Sequence, residues 1–283
     1  MIEVQMSQRQ LKARRRRHRK PRLVFSGVSA VFAAAIAAGY LYAGGLDGAS
    51  ATPLSEAPAQ AQRFGGNESL NWSIPGGAAS GVNELTFPIT VNRGTAHRSG
   101  AYFAMQYGFM NQNDGGYTGL QPYPDADGHH RLRGVFSSFI QGSVSTDPNC
   151  SNGADGGAGV SCGVEFNTTY GHSYDVTVKR IGENSWKGDI LDTSDGTVIH
   201  IGTYTLPGGS GQLRTSHAGF VEYYNVPSCS EQPRYDVTFG NPRSGGVQGT
   251  STWVKEYGDC PGAGNLWVGP SRDGVRIARG SIG

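Results

Sequence analysis

Tyr174-Asp-Val-Thr-Val-Lys-Arg-Ile181 is the stretch that decides the fold class. Tyr174, Val176 and Val178 fall on one face of an extended chain and Asp175, Thr177 and Lys179 on the other, the period of a strand with one wet face. The turn Gly182-Glu-Asn-Ser185 leads into Trp186-Lys-Gly-Asp-Ile-Leu191, and Thr193-Ser-Asp-Gly196 leads into Val198-Ile-His-Ile201. Together these predict a three-stranded antiparallel meander.

The same texture extends in both directions. From Ser69–Ile74 to Val275–Ala278, short runs rich in aromatic and β-branched residues are broken by Gly, Asn, Asp and Pro clusters. Forty-four glycines without a G-X-Y period, beside 10% aromatics, read as turns rather than as collagen or disorder. No stretch of helical length after the N-terminal segment keeps an i, i+3, i+4 apolar stripe. The expected class is all-β, an antiparallel sandwich or jelly roll.

The N-terminal segment reads differently. Arg14 to Arg22 form a dense basic run, and Leu23 to Gly45 follow without a charge over about one bilayer's length. Ala49-Ser50-Ala51 offers a cleavage site, so residues 1–51 are a signal peptide or a membrane anchor, expected as an apolar helix. Residues 52–68 suit a flexible linker, and 69–283 a single domain, outside the cell or on its outer membrane face. Removing residues 1–51 takes away nine basic and two acidic residues, leaving 15 against 20 and a net charge of −5. That sign excludes nucleic acid as a partner, and the membrane is contacted only through the N-terminal segment.

All four cysteines lie in the exported part, and their even number favours disulfides. Sequence-local closure pairs Cys150 with Cys162 and Cys229 with Cys260. Structural zinc would use short paired spacings that are missing here.

The middle of the chain resembles a family of secreted bacterial proteins catalogued as the domain of unknown function numbered 3472. The resemblance is carried by Ala101-Tyr-Phe-Ala-Met-Gln106, Gly115-Gly-Tyr-Thr-Gly-Leu-Gln121, Val135-Phe-Ser-Ser-Phe139, Tyr170-Gly-His-Ser-Tyr-Asp-Val-Thr-Val178 and Gly219-Phe-Val-Glu-Tyr-Tyr224. It implies a sandwich similar to the concanavalin-like lectins and glucanases, and it implies no activity or catalytic residue. The segment from Asp147 to Cys162 resembles the insertion of actinobacterial members.

Glu222 stands out among the acids, because Phe220 and Tyr224 share its face of a strand. Such a face could bind a sugar, with rings stacking on the sugar and the carboxylate accepting hydroxyl protons; an acid paired with an arginine or tyrosine at a sheet margin is the structural alternative. Tyr117, Gln121 and Trp186 are further ligand-binding candidates, and Gly119 leaves room for a ligand or for close strand packing. Asp147, Asn149, Asn152 and Asp155 form an oxygen-rich loop that could take Ca²⁺, although its spacing is not an EF-hand and Asx residues also make turns. No other cofactor is implied. His97, His129, His130, His172, His200 and His217 are scattered and read as solvated or bonded in place.

The chain lacks a G-x-S-x-G elbow, an H-E-x-x-H helix, a P-loop and a clustered pair of acids. The leading expectation is therefore a non-enzymatic, lectin-like module for polysaccharide or cell-wall glycan. A polysaccharide-cleaving enzyme, hydrolase or lyase, would draw Glu222 with Glu165 or Asp189 from neighbouring strands. A structural cell-surface interaction protein is the third reading.

Overall fold

The computed structural model describes residues 64–76, 81–224 and 226–280. The expected signal peptide or anchor over residues 1–51 and residues 52–63 of the expected linker lie outside them, while the linker's last residues belong to the domain, since Gly66, Asn67 and Glu68 open its first strand and are buried. Among the described residues no helix is long and apolar enough to cross a membrane.

The strands run in chain order as β1 (Gly66–Ser73), β2 (Glu84–Val91), β3 (Ala101–Gly108), β4 (Gly115–Ala126), β5 (His129–Ser138), β6 (Cys150–Ala154) and β7 (Gly157–Thr168). They continue as β8 (Ser173–Arg180), β9 (Ser185–Asp192), β10 (Val198–Thr205), β11 (Ser216–Tyr223), β12 (Tyr235–Gly240), β13 (Arg243–Ser244), β14 (Val247–Gln248), β15 (Thr250–Gly258), β16 (Trp267–Ser271) and β17 (Gly274–Arg279). A first sheet has the order β15-β1-β11-β3-β4-β5-β7-β6, and a second the order β10-β9-β8-β2-β12-β17-β16, with β13 and β14 appended beside β2. All pairings between named strands are antiparallel, so the expected sandwich class is what the chain forms. The meander read from residues 174–201 is β8-β9-β10, with Tyr174 opposite Asp192 and a register shift in β10 between His200 and Gly202.

The core lies between the sheets and is aromatic, with Trp72, Phe87, Phe103, Tyr107, Phe109, Phe136, Trp186 and Tyr204 all buried. The Phe136 and Tyr204 rings stack at 4.5 Å, and the Tyr204 and Tyr107 hydroxyls share a hydrogen bond at 2.8 Å, satisfying two polar tips inside an apolar layer. Both expected disulfides form. Cys150 and Cys162 face each other directly across β6 and β7, and Cys229 joins Cys260. Disulfides are consistent with an oxidising, extracellular setting.

One buried charge cluster ties the chain's ends together. Arg279 on β17 pairs with Glu68 on β1, both almost wholly buried, and reaches Glu256 on β15 at 2.6 Å. The other Glu68 oxygen accepts the Trp253 indole N–H at 2.7 Å. Burial raises the Glu68 carboxyl, and the hydrogen bonds of Arg279 and Trp253 pull against it. Removing one partner of such a pair strands the other in the core. Arg279→Met is expected to lose about 3–5 kcal/mol of stability, read as a lowered denaturant midpoint; a loss below about 1 kcal/mol would place the pair among ordinary surface bridges.

Candidate functional site

Strand alternation in the first sheet sends Phe103, Met105, Leu120, Val221 and Tyr223 into the core and their neighbours to the opposite face. That outer face carries a second buried cluster of Tyr102, Ala104, Val135 and Phe220, with Tyr117 and Tyr224 packed against it. Among the described residues no second layer covers it: the rings shelter one another, and the Tyr117 hydroxyl donates to Asp155 Oδ1 at 2.8 Å, at the tip of the β6–β7 hairpin.

Register places a polar row across this face. Glu222 is opposite Tyr102, Gln121 opposite Arg133, and Arg133 opposite Glu165. Continuing the Phe103↔Leu120 register by one residue sets Tyr102 beside Gln121, so Glu222, Tyr102, Gln121, Arg133 and Glu165 lie side by side on five adjacent strands. The floor beneath is aromatic: Tyr102 meets Tyr117 edge-on at 5.1 Å and Phe220 at 5.6 Å, and Tyr117 meets Phe139 at 5.0 Å.

Glu222 is the chemically distinctive member. Among the described residues it makes no hydrogen bond or ion pair, so the structural alternative of a paired acid at a sheet margin does not hold. Burial pushes its carboxyl up to about 7, and the negative charge of Asp155 adds to the effect. Burial also raises Asp155, against the hydrogen bond from Tyr117. Between these two acids stands Tyr102, whose buried hydroxyl has no hydrogen-bond partner and whose ionisation is raised by burial and then by Tyr117, Asp155 and Glu222. A carboxylic acid kept neutral near pH 7 and left unbonded is suited to donating a proton.

The other sequence candidates distribute unevenly. Gln121 and Tyr224 join Glu222 and Tyr117 on the outer face, half-buried. Trp186 does not: it is fully buried in the core against Phe109 at 5.0 Å, because its position in the β9 alternation points between the sheets. Glu165 shares the row, but four strand spacings, about 19 Å, separate it from Glu222, too far for paired carboxylates. It pairs instead with Arg131 at 2.8 Å. Asp189 lies on β9 in the second sheet, bonded to His200 at 3.0 Å and Lys187 at 2.6 Å, so the expected pairing of Asp189 with Glu222 does not form.

The proposed Ca²⁺ loop is a hairpin, and its four candidates diverge. Asp147 engages His200 Nε2 at 2.7 Å and its Oδ1 accepts the Asn149 N–H, Asn152 is exposed on β6, and Asp155 reaches Tyr117. Gly119 answers to strand packing: a Cβ there would stand 2.0 Å from the Phe103 carbonyl oxygen. A separate open depression of about 550 Å³ on the second sheet includes Asp175, but that acid is paired with Arg243. The influence of Asp155 on Glu222 was hidden in the sequence because 67 residues separate them; the sequence marked Asp155 only as part of an oxygen-rich loop.

No family model and no curated protein matches the chain. Among solved structures it is similar to scytalido-glutamic peptidase bound to a transition state analog inhibitor, at 12% identity over 78% of this chain and 99% of that one, with a TM-score of 0.42. It is similar also to SCP-B, a member of the eqolisin family of peptidases in complex with the tripeptide Ala-Ile-His, at 12% identity over 78% and 99%, with a TM-score of 0.39. The CBM2 module of the Lactobacillus casei BL23 phage J-1 evolved Dit matches at 14% identity over 56% and 70%, with a TM-score of 0.26. None superposes closely enough to transfer a residue or a role.

The raised acid has a thermodynamic signature. Glutamate titrates near 4.5 in the unfolded chain and at about 7 in the fold, so between those values the native state binds the extra proton. Its stabilising contribution is full below about pH 4.5, declines as pH rises and is gone above about 7. Glu222→Gln is expected to match the parent at pH 4 and exceed it by about 1–2 kcal/mol at pH 8, measured by denaturation across pH; parallel curves for the two proteins would show that Glu222 titrates normally.

Proposed function

We propose that this outer face is a polysaccharide-binding surface and that Glu222 is its proton donor, making the protein a secreted or surface-anchored glycan-cleaving enzyme. The observation that supports this reading is the unbonded Glu222 carboxyl, protonated up to about pH 7 over a tyrosine floor. A passive sugar acceptor would favour an ionised carboxylate, and a structural acid would be paired. Glu222 and Asp155 repel as anions, so one holds a proton while the other ionises, the division of labour that acid–base hydrolysis needs. Asp155 accepts the Tyr117 hydroxyl, which suits the ionised partner.

In this reading the sugar stacks on Tyr117 and Tyr224, with Gln121 and Arg133 hydrogen-bonding its hydroxyls. Glu222 gives its proton to the glycosidic oxygen as the C–O bond breaks. Water adds its oxygen to the sugar carbon, and the proton it sheds passes to Asp155.

The half-exposed tyrosines beside Gln121 and Arg133 also favour a second reading, a lectin-like module that binds the same ligand without cleaving it. Incubating the protein with a panel of bacterial and plant polysaccharides, and measuring reducing ends across pH, separates the two. The enzyme is expected to release reducing ends with activity falling above about pH 7, and Glu222→Gln to lose at least about 100-fold in turnover while keeping glycan binding. Binding on a glycan array without reducing ends establishes the lectin-like module. Neither binding nor cleavage leaves a structural surface protein.

A further inference from the structure

His97, Asp125 and His130 come together at the far end of the β4–β5 hairpin, apart from the Glu222 site. His97 lies on the connection from β2 to β3, Asp125 in the last turn of β4 and His130 at the start of β5. The hairpin register shifts between Tyr123 and Ala126, and Asp127 and Gly128 take φ 52° and 75° at the turn. A bulge of this kind re-aims a side chain, and here it brings Asp125 onto the side where His130 stands. The Tyr170 ring packs at 4.3 Å against His97 and at 5.9 Å from His130, holding both imidazoles.

Both imidazoles direct the same nitrogen at one carboxylate. His97 Nδ1 is 3.0 Å and His130 Nδ1 3.1 Å from Asp125 Oδ2, and the three ligand atoms lie within 4.8 Å of one another. Two ligand atoms bound to tetrahedral zinc at about 2.0–2.1 Å stand about 3.3–3.4 Å apart. The two nitrogen–carboxylate distances are therefore within a few tenths of an ångström of those an ion requires. The side chains are 28%, 44% and 50% exposed for His97, Asp125 and His130, which leaves a path for the ion and room for a solvent ligand.

We propose that His97, Asp125 and His130 form a divalent-metal site for Zn²⁺ with one coordination position open. Two imidazoles and one carboxylate are a donor set suited to zinc, and three protein ligands plus an exchangeable fourth position is the arrangement of a site that can take a further ligand. The site is independent of the reading of Glu222.

The test is calorimetric titration of the chelator-stripped protein with Zn²⁺, together with the visible spectrum of Co²⁺ bound in its place. One equivalent is expected to bind at the triad. Asp125→Ala and the double variant His97→Ala/His130→Ala are expected to weaken that binding by at least about tenfold and to abolish the tetrahedral Co²⁺ band. His200→Ala, which removes the histidine that bridges Asp147 and Asp189, is expected to leave both unchanged. Circular dichroism of the variants verifies folding, and their half-exposed positions make the substitutions mild. No binding by the parent protein, or equal affinity and spectrum in Asp125→Ala, overturns the proposal.

Discussion

The structure depends on one constraint: the central strands of the first sheet are buried on both faces although a second sheet covers only one. β3 shows it most plainly, since every residue from Ala101 to Gly108 except Gln106 is buried. Its odd-numbered rings fill the space between the sheets, while Tyr102 and Ala104 need shelter on the other side. Tyr117, Phe220 and Tyr224 supply it from the neighbouring strands, and the Tyr117–Asp155 bond ties the tip of the β6–β7 hairpin to that cluster.

Two glutamates show how burial acquires opposite meanings. Glu68 is deep in the molecule and surrounded by donors, Arg279 and Trp253, so its charge organises β1, β15 and β17. Glu222 is less deep but has no donor, and its nearest ionisable influence is another acid. The first arrangement stabilises a fold by satisfying a charge; the second raises the proton affinity of the carboxyl. Where an unpaired acid sits above tyrosines on an open face, stability at neutral pH is given up, which is the pattern expected of a site rather than a scaffold.

Much of the architecture was legible along the chain. Alternation at Tyr174–Lys179 placed a strand with the correct faces, turn residues marked the meander, and cysteine proximity gave both disulfides. Glu222, Phe220 and Tyr224 were assigned to one face because a strand's period leaves no other choice. Periodicity failed for Trp186: a strand has two faces, and nothing local says which one meets the other sheet. Pairing failed for Asp189, since strands near in sequence lie in different layers. The loop from Asp147 to Cys162 looked like a cation loop because Asx and Gly residues serve metal loops and hairpin turns alike.

The sequence by itself thus determined what is local: strand period, turn positions, cysteine closure and the placement of one acid among aromatics. Only the tertiary structure decided which acids meet. The row from Glu222 to Glu165 is assembled from strands up to 120 residues apart, the Asp155 contact arises from the tip of a hairpin at the sheet edge, and the His97–Asp125–His130 cluster from a bulge beside a remote loop. Covalent neighbours set the direction in which a side chain points, but charge and proton affinity depend on groups within a few ångströms, and those are chosen by strand order and register.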